Sequence, residues 1–501
     1  MEYIVTIDVG TMSMRSILYD IEGNSLFTST YEYHAIYMPR GHVEQDPADW
    51  EKGLQQVMTE MGQFLQLNSY KVAAISVTSQ RASVIPVDRE GRPLYNAITW
   101  QDKRSEAICD EMMDELSMPV IYRKTGLRAN PYFSLPKMVW IKQEMPDIYA
   151  KTYKLIGVQD YVIYLLTGEF KTDWSQAART MLMNIKTFKW SQEMLSVSHI
   201  DENMLCEMCA PGAIAGSLRK DFAKSTGFQP DVPVIMAGGD QQNAALALNI
   251  LRPGYAEANT GTGSFVIAYS NKPVFDKKCR VLCSASAVPG KWIVEAGIFN
   301  TGAIYRWFKE QFYQEKKASY DMMNKEAAIS PTGANGVLLM PHFEGSAAPH
   351  WNPRAKGMFF NLSLGTTRGD MARSIFEGIA MEIADNFALI EDISGEIEQI
   401  SVAGGMTKSQ LFNQIQADVS YKPVIQYQNS EATSLGATMS AGVTMGFFSN
   451  YNDAFRKIVG KEDAVYKPNA ENHIAYERLQ DKKLYLYETL KRGEVYQKFV
   501  K

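Results

Sequence analysis

An acidic residue and an arginine flank a short loop near the start of the chain, in TIDVGTMSMRSILYD at residues 6–20. The apolar run that ends at Asp8 predicts a strand, and the run that follows Arg15 predicts a second one. The loop between them offers backbone N–H groups, the hydroxyls of Thr11 and Ser13, and a cation, all of which suit an anion. Because Asp8 would repel a bare anion, the combination indicates a phosphate group bound together with a metal ion.

A second acid, Asp240, lies where VIMAGGDQQNAALAL at residues 234–248 changes from an apolar strand to a helix. The carboxyl ends of strands form the edge at which α/β sheets bind ligands. The positive amino end of the helix favours an ionised carboxylate. Such a group can accept a proton from a bound hydroxyl. An ordinary N-cap aspartate explains the same pattern equally well.

A pair of glycines, Gly404 and Gly405, ends a strand in SVAGGMTKS and precedes a predicted helix. Without side chains, this backbone can lie flat against a planar ring or a phosphate. The fragment lacks the G-x-x-x-x-G-K-[ST] pattern, so no P-loop is predicted. An ordinary strand–helix turn remains the alternative interpretation.

Composition excludes several classes of function. The chain has 501 residues, of which 46% are hydrophobic and 21% charged, and its formal net charge is -5. No basic run favours nucleic acid, and no apolar stretch is long enough for a membrane span. The start, MEYIVTID, enters a strand without the charged segment of a signal peptide. Five cysteines with one isolated C-x-x-C, at Cys206 and Cys209, fit a reducing compartment. We therefore expect a cytoplasmic protein.

The first third of the chain predicts a mixed α/β order. Strands are expected at about 3–8, 14–20 and 26–33, and the turn signal DIEGN makes them an antiparallel meander. A helix is expected at 46–65, with Asp46 as N-cap and a proline at its first position. The apolar run at 71–80 predicts a strand of the kind buried in a parallel sheet.

The second half repeats this opening. GYAEANTGTGSFVIAYS, at 254–270, is again strand, Gly/Thr/Ser loop and strand, and it follows a Pro-Gly seam. An apolar stripe every four residues predicts a helix at 371–390. A helix rich in small residues is expected at 431–448, and the last fifty residues predict a helical cap. The echo places a domain boundary near residue 250.

Taken in order, several motifs resemble the FGGY carbohydrate kinases, the family that contains glycerol kinase, xylulokinase, gluconokinase and autoinducer-2 kinase. The resemblance covers nearly the whole chain. Its motifs are DVGTMSMR, GHVEQDPADW, NAITWQDKR, PYFSLPKMVWIKQE, AGGDQQNAAL, TGTGSF, GVLLMPHFEGSAAPHWNPRAKG and AGGMTKSQLFNQIQAD.

The resemblance implies an α/β fold with two actin/hexokinase-like (ribonuclease H-like) domains around an interdomain cleft. Residues 1–250 would form a domain with the sugar site, the first phosphate hairpin and the catalytic base. Residues 251–501 would supply the second phosphate hairpin, the adenosine site and a C-terminal helical cap. The implied reaction is phosphoryl transfer from ATP, with Mg2+, to a hydroxyl of a small sugar or polyol. A homodimer is the assembly to test.

The resemblance also assigns roles to individual positions. Asp240 matches the catalytic base, and Asp8 matches the acid that holds magnesium. The ATP-binding positions are Thr11, Ser13, Arg15, Thr262, Gly263, Gly404, Gly405 and Ser409. The substrate-binding positions are Arg81, Trp100, Tyr132, Asp240, Gln241 and Phe265.

The acceptor pocket departs from known members of the family at SQRAS. Glycerol kinases carry an Arg-Glu pair where this chain has Arg81 and Ala82, and alanine cannot bind a glycerol hydroxyl. The Met-His-type element typical of xylulokinases and gluconokinases is also missing here. The change, with Ser83 beside it, favours a larger acceptor, such as a ketopentose like xylulose or a four-carbon polyol. Glycerol kinase and autoinducer-2-type kinase remain alternatives. An actin- or Hsp70-like ATPase and a non-catalytic sugar sensor are the alternatives of another class, and the presence of both Asp8 and Asp240 argues against the sensor.

Overall fold

The computed structural model describes residues 2–314, 319–428 and 431–499. The strands before residue 252 are β1 Tyr3–Val9, β2 Ser13–Asp20, β3 Ser25–Glu32, β4 Ile36–Met38, β5 His42–Gln45, β6 Val72–Ser79, β7 Ile85–Val87, β8 Ala97–Ile98, β9 Lys154–Ile156, β10 Lys171–Asp173, β11 Met183–Asn184, β12 Lys189–Trp190, β13 Glu207–Cys209, β14 Ile214–Ser217 and β15 Pro233–Gly239. The later strands are β16 Tyr255–Thr260, β17 Ser264–Ser270, β18 Leu282–Ala285, β19 Trp292–Ile298, β20 Leu338–Met340, β21 Met358–Phe360, β22 Gln399–Ala403, β23 Val424–Tyr427 and β24 Glu462–Tyr466.

Helices alternate with these strands along the chain. They are α1 Pro47–Asn68, α2 Glu106–Glu115, α3 Met118–Thr125, α4 Ser134–Glu144, α5 Pro146–Lys151, α6 Val158–Thr167, α7 Trp174–Ala177, α8 Gln192–Ser198, α9 Lys220–Thr226, α10 Asp240–Ala247, α11 Gly302–Phe312, α12 Tyr320–Ile329, α13 Arg368–Ser394, α14 Gln410–Ser420, α15 Ala432–Thr444, α16 Tyr451–Ile458, α17 Ala470–Arg492 and α18 Val495–Phe499. Short 3₁₀ turns lie at Pro39–Gly41, Glu202–Met204, Ala334–Gly336 and Gly405–Lys408. No helix of the described residues is both long and apolar enough to cross a bilayer.

The chain divides into two compact units, each with its own sheet and helices. Unit 1 consists of residues 1–251, 271–293 and 431–460, and unit 2 consists of residues 252–270, 294–430 and 461–501. The first passage between units lies beside the boundary expected near residue 250, after which the chain returns twice to unit 1. The assignment of separate functions to residues 1–250 and 251–501 remains a prediction.

The sheet of unit 1 has the strand order β14-β15-β6-β1-β2-β3. Strands β1, β2 and β3 form an antiparallel meander, whereas β6 runs parallel to β1 and β15 runs parallel to β6. The predicted meander and the predicted buried strand are therefore confirmed. Every residue of β1 is buried, because helices cover this central strand.

Helix α1 begins as its sequence predicts. The carboxylate of Asp46 accepts a hydrogen bond of 2.9 Å from the backbone N–H of Ala48, and Pro47 occupies the first helical position. Proline fits there because the first backbone N–H groups of a helix have no partner within it. The apolar face of α1 then packs on β2 and β3.

Within unit 1, helix α15 packs closely against the sheet and helix α10, as its small residues predict. Its Thr438 hydroxyl lies 2.8 Å from that of Thr6 on β1, and its Ala437 carbonyl accepts a bond of 2.7 Å from Ser76 on β6. A Cβ at Gly436 would lie 1.8 Å from the carbonyl oxygen of Asn243 on α10. Only glycine allows the two helix backbones to approach this closely.

The sheet of unit 2 contains the strands in the order β19-β17-β16-β22-β23-β24. Strands β16 and β17 form an antiparallel hairpin, and β22 runs parallel to β16. The hairpin predicted at 254–270 is confirmed. Helix α13 contains the predicted apolar stripe, whose members Ile375, Ile379, Ile383 and Phe387 are all buried.

Candidate active site

In the β1–β2 turn of unit 1, the carbonyl groups accept hydrogen bonds, whereas two backbone N–H groups have no partner within the described residues. The Gly10 carbonyl accepts from the Tyr33 hydroxyl at 2.6 Å, and the Thr11 carbonyl accepts from the Gln45 amide at 2.6 Å. The Ser13 carbonyl accepts from the Gly10 N–H at 2.9 Å. Within the described residues, the N–H groups of Thr11 and Met12 form no hydrogen bond. This turn can therefore donate to an anion, as its sequence predicts.

Two carboxylates share one guanidinium at the base of this turn. Asp8 and Arg15 are register partners on β1 and β2, and their side chains form an ion pair of 2.7 Å. The other terminal nitrogen of Arg15 lies 2.5 Å from Glu431, which precedes α15. The three side chains together carry one net negative charge. Burial raises the pKa of Asp8, the charge and hydrogen bond of Arg15 lower it in part, and the carboxylates of Asp240 and Glu431 raise it further. The cluster thus favours a cation.

Asp240 lies at the junction of β15 and α10, so its carboxylate is close to Arg81 and to the amino end of α10. Its side chain is 27% exposed and its Oδ1 lies 3.4 Å from Nε of Arg81. The same oxygen accepts a hydrogen bond of 2.7 Å from the Gln241 N–H. Burial raises the pKa of Asp240, whereas Arg81 and Arg179 lower it. An accessible, oriented carboxylate of this kind is suited to general-base chemistry.

Glycine at 239 is required for the approach of Arg81. A Cβ at Gly239 would lie 2.6 Å from Cδ of Arg81. The Arg81 side chain is 1% exposed and also donates to Gln242 at 3.1 Å. The side-chain oxygen of Gln241 is buried and has no hydrogen-bond partner within the described residues. It lacks a donor, which a ligand hydroxyl would supply on reaching it.

Two predicted substrate-binding residues, Trp100 and Tyr132, have aromatic rings that contact each other. Trp100 donates from its indole nitrogen to the Thr11 hydroxyl over 3.4 Å, and its ring lies 5.5 Å from that of Tyr132. The guanidinium of Arg179 lies 5.3 Å from the centre of the Tyr132 ring. Of this set, the sequence predicted Trp100 and Tyr132 but missed Arg179, which has no motif of its own.

Ser83 does not supply an accessible hydroxyl. It is 2% exposed and lines a small internal cavity with Asp160, Thr172 and Gln176. Its hydroxyl has no hydrogen-bond partner within the described residues. Ala82 borders the same cavity, with a positive φ of 66°. The inference that Ser83 enlarges the acceptor pocket therefore loses its structural basis.

The turn between β16 and β17 in unit 2 repeats the arrangement of the first turn. The Thr262 carbonyl accepts from the backbone N–H groups of Thr301 and Ala303, at 3.0 and 3.1 Å. The N–H groups of Thr262 and Gly263 form no hydrogen bond within the described residues. A Cβ at Gly263 would lie 2.5 Å from the Ile298 carbonyl oxygen, so this turn requires glycine.

The remaining predicted positions of unit 2 have different environments. Gly404 has a φ of +95°, and a Cβ there would lie 2.3 Å from the Thr260 carbonyl oxygen. A Cβ at Gly405 would meet no atom within 4 Å, which leaves its face open for a flat ligand. The Ser409 hydroxyl accepts from the Phe412 N–H at 3.4 Å as the N-cap of α14. Phe265 is partly buried on β17.

Comparisons with known proteins decide the family. The profile of the N-terminal domain of the FGGY family of carbohydrate kinases matches residues 3–247, and that of the C-terminal domain matches residues 256–445. The chain belongs to the FGGY family of carbohydrate kinases. It is 33% identical to glycerol kinase of Thermococcus gammatolerans over 476 residues, which cover 94% of each chain. It is 34% identical to glycerol kinase of Alkaliphilus oremlandii, with 95% of each chain covered.

Solved structures agree with this assignment. The xylulose kinase of Lactobacillus acidophilus superposes with a TM-score of 0.93 at 26% identity, covering 100% of both chains. Plasmodium falciparum glycerol kinase, solved with ADP, superposes with a TM-score of 0.88 at 26% identity and covers 98% of both. The FGGY kinase described here thus has the two-domain α/β fold of this family, and it is a phosphotransferase. Relatives named for glycerol and for xylulose both occur.

Sequence reasoning also missed Glu431, the second carboxylate that pairs with Arg15. It lies 416 residues from its partner Arg15, and only its place before the small-residue helix could have drawn attention to it. The isolated C-x-x-C remains unassigned. Neither Cys206 nor Cys209 is disulfide-bonded, and burial raises the pKa of both thiols.

Proposed function

We propose that this FGGY kinase transfers the γ-phosphoryl group of ATP to a hydroxyl of a small polyol or sugar, with Asp240 as the general base. The observation that carries the proposal is the partly exposed Asp240 carboxylate, held 3.4 Å from Arg81. The acceptor oxygen forms a bond to phosphorus, the bond from phosphorus to the ADP oxygen breaks, and the acceptor proton passes to Asp240. Phosphoryl transfer requires mainly positioning and electrostatic stabilisation, which fixed donors supply.

The acceptor and the nucleotide draw on different residues in this proposal. Arg81 and Gln241 lie beside Asp240, and with Trp100 and Tyr132 they are proposed to hold the acceptor by hydrogen bonds and ring contacts. The N–H groups of the two turns donate to phosphate oxygens, and the open face at Gly405 receives the adenosine. Because Ser409 caps α14, we assign it only a supporting role in adenosine binding.

The charge of the first turn fits a magnesium ion. Asp8 and Glu431 together exceed the charge of Arg15 by one, and hard cations such as Mg2+ prefer carboxylate oxygens. We propose Asp8 as the residue that holds Mg2+, which supplies charge neutralisation at the phosphates.

We propose two candidate acceptors. A ketopentose such as xylulose remains our first candidate, because Ala82 offers no carboxylate to a glycerol hydroxyl. Glycerol is the second candidate, because glycerol kinases are among the chain's relatives at 33% identity. An ADP-release assay over glycerol, xylulose, other polyols, aldonates and dihydroxypentanedione separates them. ADP release that does not depend on any acceptor would instead support an ATPase.

The general base is tested with Asp240→Asn. We expect kcat to fall by about 100- to 10,000-fold, because a positioned base contributes this much to proton transfer. The dissociation constant for ATP, measured by calorimetry, should change little. Asp221→Asn, at a surface aspartate paired with Arg219, serves as the control and should keep full activity. An Asp240→Asn variant with unchanged kcat would contradict the assignment.

A further inference from the structure

Two histidines and a glutamate meet inside unit 2, and none of the three is among the residues assigned to the kinase reaction. His342 and His350 lie in the segment between β20 and β21, and Glu382 lies on α13. One potential ligand atom from each of the three lies within 4.8 Å of the others. His342 and Glu382 are buried, with 2% and 1% of their side chains exposed, whereas His350 is partly exposed.

The imidazole nitrogens of this cluster are poorly satisfied by the protein. Nε2 of His342 lies 3.2 Å from Oε1 of Glu382, but its Nδ1 is buried without a hydrogen-bond partner. Within the described part of the chain, His350 makes ring contacts and no hydrogen bond. Leaving a buried polar atom unpaired is unfavourable. A metal ion binds one nitrogen of each imidazole, so it would give a partner to His350, which has no hydrogen bond in the described residues.

Aromatic packing fixes the two rings. The His350 ring stacks on Tyr487 of α17 with centroids 3.8 Å apart and planes inclined by 22°. The His342 ring meets Tyr487 edge-on at 5.6 Å. Rings held in this way lose little further freedom when they bind an ion, which favours binding.

A neighbouring lysine must be taken into account. Nζ of Lys483 lies 2.6 Å from Oε2 of Glu382 and 2.7 Å from Asp385. It therefore contacts the carboxylate oxygen other than the one that faces His342. Glu382, Asp385 and Lys483 together carry one net negative charge, so their summed charge attracts a dication. Lys483 keeps Asp385 as a partner if Glu382 turns towards an ion.

We propose that His342, His350 and Glu382 bind one divalent transition-metal ion, with zinc as the best fit. Two imidazoles and one carboxylate are a ligand set that zinc accepts, with a water in the fourth position. Magnesium prefers an all-oxygen environment and should not bind here. The ion would connect the segment between β20 and β21 to helix α13.

The test uses tag-free protein that has been stripped with a chelator and then titrated with zinc alone by calorimetry. We expect one zinc per chain, and Co2+ should give visible absorption bands typical of tetrahedral coordination. His350→Asn should weaken zinc binding by about 100-fold or more, because it removes one of three ligands. His350 is the most suitable ligand for substitution since it is partly exposed. His34→Asn, at an exposed histidine of unit 1, is the control.

Two outcomes would overturn the proposal. One is the absence of stoichiometric zinc or cobalt binding by the wild-type protein. The other is zinc binding that His350→Asn and Glu382→Gln leave unchanged. Zinc should also raise the melting temperature of the wild-type protein and of His34→Asn but not that of His350→Asn. Mg2+ added in excess should not displace zinc.

Discussion

At the scale of single residues, Arg15 is predicted to bind phosphate, yet its side chain is already paired with two carboxylates of the protein. Its guanidinium binds Asp8 at 2.7 Å and Glu431 at 2.5 Å. An arginine fixed between two carboxylates keeps its orientation, but its charge is already balanced. The backbone N–H groups of Thr11 and Met12 are then the uncommitted donors of this turn.

Arg179 provides a prediction at the same scale. Its positive charge lowers the pKa of Asp240, which must be ionised to accept a proton. Replacement by glutamine removes that charge, so the pKa of Asp240 should rise. The acidic limb of the profile of kcat/KM against pH should therefore move to higher pH in Arg179→Gln.

The control for this measurement is Arg219→Gln. Arg219 is a surface residue of unit 1 that pairs with Asp221, and its loss should leave the profile in place. A profile for Arg179→Gln that coincides with the wild type would show that Arg179 does not act on the base. Melting temperatures of both variants should be recorded, because Arg179 is buried.

At the scale of elements, the contact between α10 and α15 positions Asp240, the proposed base. Helix α10 begins at Asp240, and its Asn243 carbonyl faces Gly436 on α15. The partner atom is backbone and cannot rotate away from an added methyl group. The two helices must separate if Gly436 gains a side chain.

Gly436→Ala should therefore destabilise the protein. Overpacking of this kind costs about 1–3 kcal/mol, and here the added Cβ would lie 1.8 Å from a carbonyl oxygen. We expect a lower free energy of unfolding and a lower kcat, since the start of α10 moves with the helix. Gly297→Ala is the matched control, because a Cβ there meets no atom within 4 Å. Equal stabilities of the two variants would contradict this account.

At the scale of the whole molecule, unit 1 is assembled from three separate segments. Segment 271–293 contributes the Val281 carbonyl, which accepts from the Tyr122 hydroxyl at 2.6 Å. Segment 431–460 contributes α15, which covers the buried strands β1 and β6. Residues 1–251 alone would leave these surfaces exposed to water.

A fragment of residues 1–251 should consequently lack a cooperative thermal transition. Exposure of the apolar residues beneath α15 removes a large part of the stabilising burial. A matched fragment that carries residues 431–460 on a flexible linker should regain part of the cooperativity. Calorimetry compares both with the full chain. A cooperative transition for residues 1–251 alone would show that the added segments are dispensable.

The sequence by itself determined the local features and the family. The meander, the capped start of α1, the two glycine-bearing turns and the apolar stripe of α13 follow from hydrogen bonding and periodicity over a few residues. Ordered motifs identified an FGGY carbohydrate kinase. These features depend on neighbours within the same stretch of chain, so they can be predicted without a fold.

Only the tertiary structure decided which distant residues meet. Glu431 reaches Arg15 across 416 positions, Arg179 lies over Tyr132, and His342 meets Glu382. It also showed that Ser409 caps a helix and that Ser83 faces an internal cavity. Such contacts depend on how sheets and helices pack, and no local pattern specifies that packing. The charge at the base of the first turn and the histidine cluster therefore became apparent only in three dimensions.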